Sequence, residues 1–253
     1  MSQRWHSWSA VAAAVLACAF LLPGTGRAET LAVSAGADGL RLAIGASHSG
    51  DTLILAAGVH QGPIHIDHAL TIEAEPGAVL DGQGRGRTIE VAAPNVAIRG
   101  LTIRNSGIDD PMDAAVFLED SATGAIVENS RIENSLVGVY VHGAAKAIVR
   151  NNRIVGRTDL RTNELGNGVY VWNAPGAQVI GNYITGGRDG IFTNASRKNL
   201  FRGNRIENVR FAVHYMYTND SEVSDNVSRN NHDGYVIMYS SRLVIRRNLS
   251  EDD

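Results

Sequence analysis

Cysteine is almost missing from this sequence: the 253 residues contain one, Cys18, and it lies inside an N-terminal apolar run. That run, Val11 to Leu22, follows Arg4 and precedes Pro23-Gly24 and Gly26-Arg27-Ala28, the layout of a secretory signal cut after Ala28. With residues 1–28 removed no thiol remains, which excludes disulfides and thiolate metal sites. His, Met, carboxylate and backbone are left as the available ligands. No paired arginines precede the apolar run, so the general secretion route to the periplasm is expected rather than the twin-arginine route. Long apolar runs are missing beyond residue 28, which excludes a helical membrane span in the mature chain. Positive charge is not in excess either. Losing Arg4 and Arg27 takes the net charge from −3 to −5, and a mildly acidic surface carries no electrostatic footprint for nucleic acid.

What the sequence does have is a period. Ser130-Arg131-Ile132, Asn152-Arg153-Ile154, Asn182-Tyr183-Ile184, Asn204-Arg205-Ile206, Asn226-Val227-Ser228 and Asn248-Leu249-Ser250 follow at steps of 22, 30, 22, 22 and 22 residues. Gly138, Gly168, Gly190, Ala212 and Gly234 form a second register, each 14 residues before the next member of the first. Because that spacing survives the long step, the surplus lies between Asn152 and Gly168, around Gly156 to Gly166, as an inserted loop. An earlier copy, Leu101-Thr102-Ile103, has its surplus in Ser106 to Asp113, so two loops are expected to leave one corner of successive turns. Helical repeats are longer and carry a 3.6-residue period, whereas these copies hold short alternating runs of β-branched residues bounded by Gly and Asn. The pattern predicts an all-β fold, a right-handed single-stranded parallel β-helix of about 22 residues per coil.

Several local expectations follow. The recurring asparagines predict a hydrogen-bonded ladder at one corner, where Asn also tolerates a left-handed bend. Gly138, Gly168, Gly190 and Gly234 read as turn residues. Residues 29–95 are less regular and are expected to supply an N-terminal cap and the first coils, with Leu40 to Ala46 as a short helix. Residues 96–253 form the regular repeats, and the last copy is cut mid-coil at Asp253, so the chain reads as part of a longer protein. About seven or eight coils are expected between Ala35 and Leu249, with Val149, Val171, Ile184 and Ile206 inside.

After each glycine mark a strand alternates in and out. One face reads Val139 and Val141, Val169 and Val171, Ile191 and Thr193, Val213 and Tyr215, Tyr235 and Ile237, a mostly aliphatic inner row. The other reads Tyr140 and His142, Tyr170 and Trp172, Phe192 and Asn194, His214 and Met216, Val236 and Met238. Stacked coil over coil, these make an outer ladder of aromatic, His and Met side chains. Tyr140, His142, Tyr170, Trp172 and Phe192 are candidates for an interaction surface, with a covering insertion loop as the structural alternative. His214 and Met216 fall on one strand face, and the 22-residue step sets Met238 over Met216, about 4.8 Å away. Imidazole and thioether donors suit copper(I), so these three are the candidate metal ligands, with plain packing as the alternative.

No catalytic residues are assigned. Gly107-Ile108-Asp109-Asp110 is similar to one element of polygalacturonases, but no Asn-Thr-Asp, Gly-His-Gly or Arg-x-Lys completes the set. Asp110-Pro111-Met112-Asp113 resembles the Asp-Pro-His-Glu/Asp motif of alginate epimerases with Met in place of His. A lone acidic loop cannot supply acid and base together, so Asp109, Asp110 and Asp113 read as solvated. Gly82-Gln83-Gly84-Arg85-Gly86-Arg87 lacks the Lys-Ser/Thr of a phosphate loop and reads as a turn. His48, His60, His65 and His68 read as surface residues.

Three segments occur in order at coil spacing: Asn167-Gly168-Val169-Tyr170-Val171-Trp172, His214-Tyr215-Met216-Tyr217-Thr218-Asn219-Asp220, and Met238-Tyr239-Ser240-Ser241-Arg242-Leu243. This succession resembles the NosD family, whose coils carry Gly-Asn-Gly with a Trp, then His-Phe-Met-Tyr-Ser-Asn, then Leu-Met-Tyr-Ser-Arg. The likeness runs from about Gly58 to Leu249, with Tyr215 in place of Phe and Thr218 in place of Ser. It implies a periplasmic, non-enzymatic, copper-binding accessory protein in the maturation of nitrous oxide reductase. The implied partners are an ABC-type ATPase and permease complex, a copper chaperone and the reductase itself. The same sequence class includes carbohydrate-binding and sugar-hydrolysing β-helices. A polysaccharide-active protein and a non-catalytic docking scaffold therefore stay open beside the copper reading.

Overall fold

A repeat of some twenty residues is too short to bury an apolar face alone, and stacking the copies solves this by giving each one a neighbour above and below. The computed structural model describes residues 27–253; Cys18 and the apolar run of the expected signal lie outside the described residues. Coil after coil, three short strands alternate with three corners, as in Gln178–Ile180, Tyr183–Thr185 and Asp189–Asn194. The strands stack into three parallel sheets of ten, eight and nine strands, and the chain is a right-handed parallel β-helix.

The ten-stranded sheet counts about ten coils over the whole solenoid, and the eight-stranded sheet, which lies wholly between Ala35 and Leu249, gives eight there. The early coils step irregularly: Leu53 pairs with Ile72, Ile72 with Ile98, and Ile98 with Val127. Within this part the helix Gly39–Ala46 buries Leu40 and Ile44, matching the short helix expected there. His60 is the exception to the surface reading of the early histidines. It is fully buried and one ring nitrogen meets the Ala56 carbonyl at 2.9 Å.

Inside, like sits on like. Leu80, Ile103, Ile132, Ile154, Ile184 and Ile206 pair in register down one sheet, and all are at most 1% exposed. Val149 and Val171 are likewise fully buried. Each such side chain contributes about 1.5–3 kcal/mol of burial. Tyr215, bulky for an interior, points inward against Phe201.

The asparagine ladder is present and fully bonded. Asn204 accepts from the backbone N–H and Nδ2 of Asn182 at 2.9 and 3.0 Å, and donates through Nδ2 to Val179 O and Asn226 Oδ1, both at 2.9 Å. The left-handed bend sits one residue earlier than expected, at Asn151, Gly181, Gly203, Asp225 and Arg247. The ladder asparagines bond while their predecessors turn. The glycine register also has a different cause than turning: Gly168 and Gly190 lie at strand edges, and a Cβ on Gly168 would strike Ile184 and the Gly190 carbonyl of the next coil. Close approach, not backbone freedom, selects glycine there.

The two long corners, residues 105–113 and 156–168, connect the nine-stranded to the eight-stranded sheet at the same corner. They are not on successive turns. The coil of Arg131–Glu133 and Val137–His142 lies between them with a short corner of its own.

Candidate functional site: an outer cleft between two loops

Period-two alternation on the eight-stranded sheet sends every second side chain outward, and parallel register stacks these into two columns. In the first, Tyr140, Tyr170, Phe192 and His214 stack face to face at centroid spacings of 4.4, 4.8 and 4.7 Å. In the second, His142 stacks on Trp172 at 4.4 Å, followed by Asn194, Met216 and Met238 in register. Ring faces cover one another, so the columns offer ring edges to solvent.

The columns are partly roofed. Tyr140 is buried in a satellite cluster with Ala114, Phe117 and Val137, against which Met112, Tyr170 and Trp172 pack. The strand-side residues of the first long corner thus cover it, and Tyr140 is not a free surface. His142, Tyr170, Trp172 and Phe192 stay half-buried. Burial and the Tyr170 hydroxyl push the Tyr140 phenol well above its ordinary range. Burial, with Arg87 nearby, lowers His142, so that ring is held neutral.

Between the two long corners lies a cleft of about 470 Å³. Ile108, Asp109 and Pro111 of the first loop and Asn163 to Asn167 of the second wall it, and Tyr170, Phe192, His214 and Met216 line it. Of the three candidate ligands, His214 and Met216 belong to this cleft. Met238 lies one coil further on, paired with Met216 and 40% exposed. Asp109 serves as lining, while Asp113 is buried and caps its own loop by accepting from the backbone N–H of Asp109 and Asp110.

One feature of the cleft was not foreseen from the sequence. Asp189, the first residue of the strand Asp189–Asn194, is 1% exposed and accepts two bonds from Arg210, at 2.8 and 2.7 Å. Its Oδ2 also meets His214 Nδ1 at 3.0 Å. Burial works against ionisation of Asp189, but the bonds from His214 and Arg210 outweigh it and hold the carboxyl below the usual range. The other ring nitrogen, His214 Nε2, is buried without a partner, as are Asn167 Oδ1 and Arg188 Nε of the same cleft. The only sequence signal was position: Asp189 opens a strand whose outward column ends, one coil later, at His214.

A second polar group lies further toward the N-terminus on the same sheet. His65 Nδ1 is 3.6 Å from Glu90, Arg87 bonds Glu90, and Glu119 lies 3.9 Å from Arg87. Burial and the neighbouring Glu90 raise the Glu119 carboxyl. Glu90 is held low despite burial, through Glu119 and Arg87. Among the described residues, no three His, Cys, Asp or Glu side chains gather as a metal cluster, and no helix is long and apolar enough to cross a membrane.

The fold and cleft define a parallel β-helix with a histidine and methionine outer face, and solved structures share the parallel β-helix fold. The crystal structure of pectate lyase Pel9A superposes with a TM-score of 0.61 over 82% of this chain and 71% of that one, at 14% identity, which establishes the fold alone. Residues 150–253 match the family described as Periplasmic copper-binding protein (NosD). That match begins later than the Gly58 start expected from the motifs. Two curated relatives, each named Probable ABC transporter binding protein NosD, align over 137 residues, 54% of this chain. The one from Stutzerimonas stutzeri is 38% identical and the one from Pseudomonas aeruginosa 34%. The match takes in 31% and 32% of their lengths, about a third of the curated relatives.

Proposed function

We propose that the chain is a periplasmic accessory protein that handles copper(I) at the His214 end of the cleft, in the assembly of nitrous oxide reductase and in association with an ABC transporter. Residues 1–28 serve as its export signal. The observation that carries this reading is the buried, unpartnered Nε2 of His214 beside Met216, with Met238 stacked over Met216 on the next coil. An imidazole and two thioethers form a soft donor set that fits copper(I) and rejects hard cations. Copper bound there would be a cargo ion held for transfer, and His142, Tyr170, Trp172 and Phe192 would supply the surface on which the receiving or delivering protein rests.

Competition of the mature chain with a copper(I) chelator tests this. His214→Ala, Met216→Ala and Met238→Ala should each weaken binding more than tenfold, about 1.4 kcal/mol or more. Unchanged affinity in all three, with the circular dichroism intact, rules the site out.

The cluster of His65, Arg87, Glu90 and Glu119 favours a second reading, a polyuronate-active β-helix, because it sets a paired carboxylate beside a cation on an outer face. The copper reading expects the purified chain to leave alginate and pectate intact. New unsaturated or reducing ends that disappear in Glu90→Gln or Glu119→Gln would instead establish the enzyme.

A further inference from the structure

We infer that Asp189, clamped by Arg210, is a positioning residue that fixes His214 as the tautomer protonated on Nδ1, leaving Nε2 a bare lone pair for a ligand in the cleft. This rests on the copper reading above and assigns residues outside the His214, Met216 and Met238 set.

For the neutral ring the geometry leaves one proton arrangement. Both carboxylate oxygens of Asp189 take bonds from Arg210, so Asp189 is ionised and can only accept. The 3.0 Å contact with Nδ1 is therefore donated by the histidine. A neutral imidazole has one N–H, so Nε2 carries none. The ring cannot turn over without presenting carbon to Asp189. Phe192 stacks on it at 4.7 Å and Phe211 meets it edge-on at 5.2 Å, which fixes the plane from two sides. An Asp–His bond that served only the fold would have no use for a second buried nitrogen left unpaired, which costs about 1–3 kcal/mol. Carboxylate-oriented histidines with one free nitrogen are how metal sites hold their ligands, and loss of such an orienting partner typically lowers affinity about ten- to a hundredfold.

Arg210 explains how the carboxylate stays charged while nearly out of water. Removing Asp189 alone strands Arg210, so the informative variant is the double Asp189→Leu/Arg210→Met, which deletes both charges. The tautomer is read in the metal-free mature chain with nitrogen-15-labelled histidine, from long-range nitrogen–proton correlations of the His214 ring. The native ring should show protonated Nδ1 and bare Nε2. The double variant should gain the Nε2-protonated form and bind copper(I) about ten- to a hundredfold more weakly, while Met216→Ala leaves the tautomer unchanged.

A native ring protonated on Nε2 overturns the inference whatever the copper result, and requires no folded variant. Native copper affinity in the folded double variant, with His214→Ala abolishing binding, overturns the role of Asp189 but leaves the copper reading standing. Undiminished binding in His214→Ala overturns the ligand role given to Nε2, and undiminished binding in Met216→Ala and Met238→Ala as well overturns the copper reading.

Discussion

Replacing Ile184 with Asp should abolish the cooperative fold. Ile184 is fully buried between Ile154 below and Ile206 above, in a row that continues through Ile132, Ile103 and Leu80. The row belongs to the buried hydrophobic core, and the new carboxyl has to enter it either charged and unpaired or protonated and short of partners. Either costs several kcal/mol beyond the lost burial, against a total stability of about 5–15 kcal/mol for an ordinary domain. The expected result is loss of the β-sheet circular dichroism or a gain in dye binding typical of exposed apolar surface. Ile184→Val, which removes one methyl group, should cost only about 0.5–1.5 kcal/mol and keep the transition. A soluble Ile184→Asp protein with a native spectrum and an unaltered melting midpoint would contradict the packing described.

The second large effect is expected at the asparagine ladder. Asn204→Ala takes the acceptor from the backbone N–H and Nδ2 of Asn182, and the donor from Val179 O and Asn226 Oδ1. Asn182 and Asn226 are each 1% exposed, so water does not replace what is lost. Two stranded donors at about 1–3 kcal/mol each give a cost of about 2–6 kcal/mol. At about 2–4 °C per kcal/mol for a chain of this size, the thermal midpoint should fall by roughly 4–24 °C. Asn163→Ala, on the exposed part of the second loop, should stay within about 0.5 kcal/mol of the native chain and serves as the control. A ladder variant as stable as that control would mean that the amide chain contributes only shape.

Both predictions concern residues that the sequence made visible. Ile184 and Asn204 recur at the coil length, and a residue that repeats at one register in every copy is under the same physical demand each time. The inner and outer columns were legible for the same reason, because alternation within a strand and the 22-residue step together define which side chains stack. Where the demand changed from coil to coil, legibility failed. The early coils step irregularly, so no single register runs through them. His60 is buried in that irregular part, where no register marked it as inward. The glycines repeat as faithfully as the asparagines, but repetition does not tell a turn from a close approach, which depends on what the neighbouring coil places opposite. Asp189 and Arg210 occur in one coil pair only, and a unique pair leaves no periodic trace. The part of the site most informative about chemistry was thus the part least visible in the repeat.

The two long corners add residues without disturbing the pairing on either side of them: Ile154 still meets Ile184, and Val139 still meets Val169. Closing a longer flexible loop costs little, about 0.6 kcal/mol for each doubling of its length. The floor of the cleft is consequently governed by the arithmetic of the repeat, while its walls are free to lengthen, shorten or change composition. In an evolving lineage, what the cleft admits can be renegotiated by insertion and deletion at one corner, with the stability of the column underneath left out of the exchange.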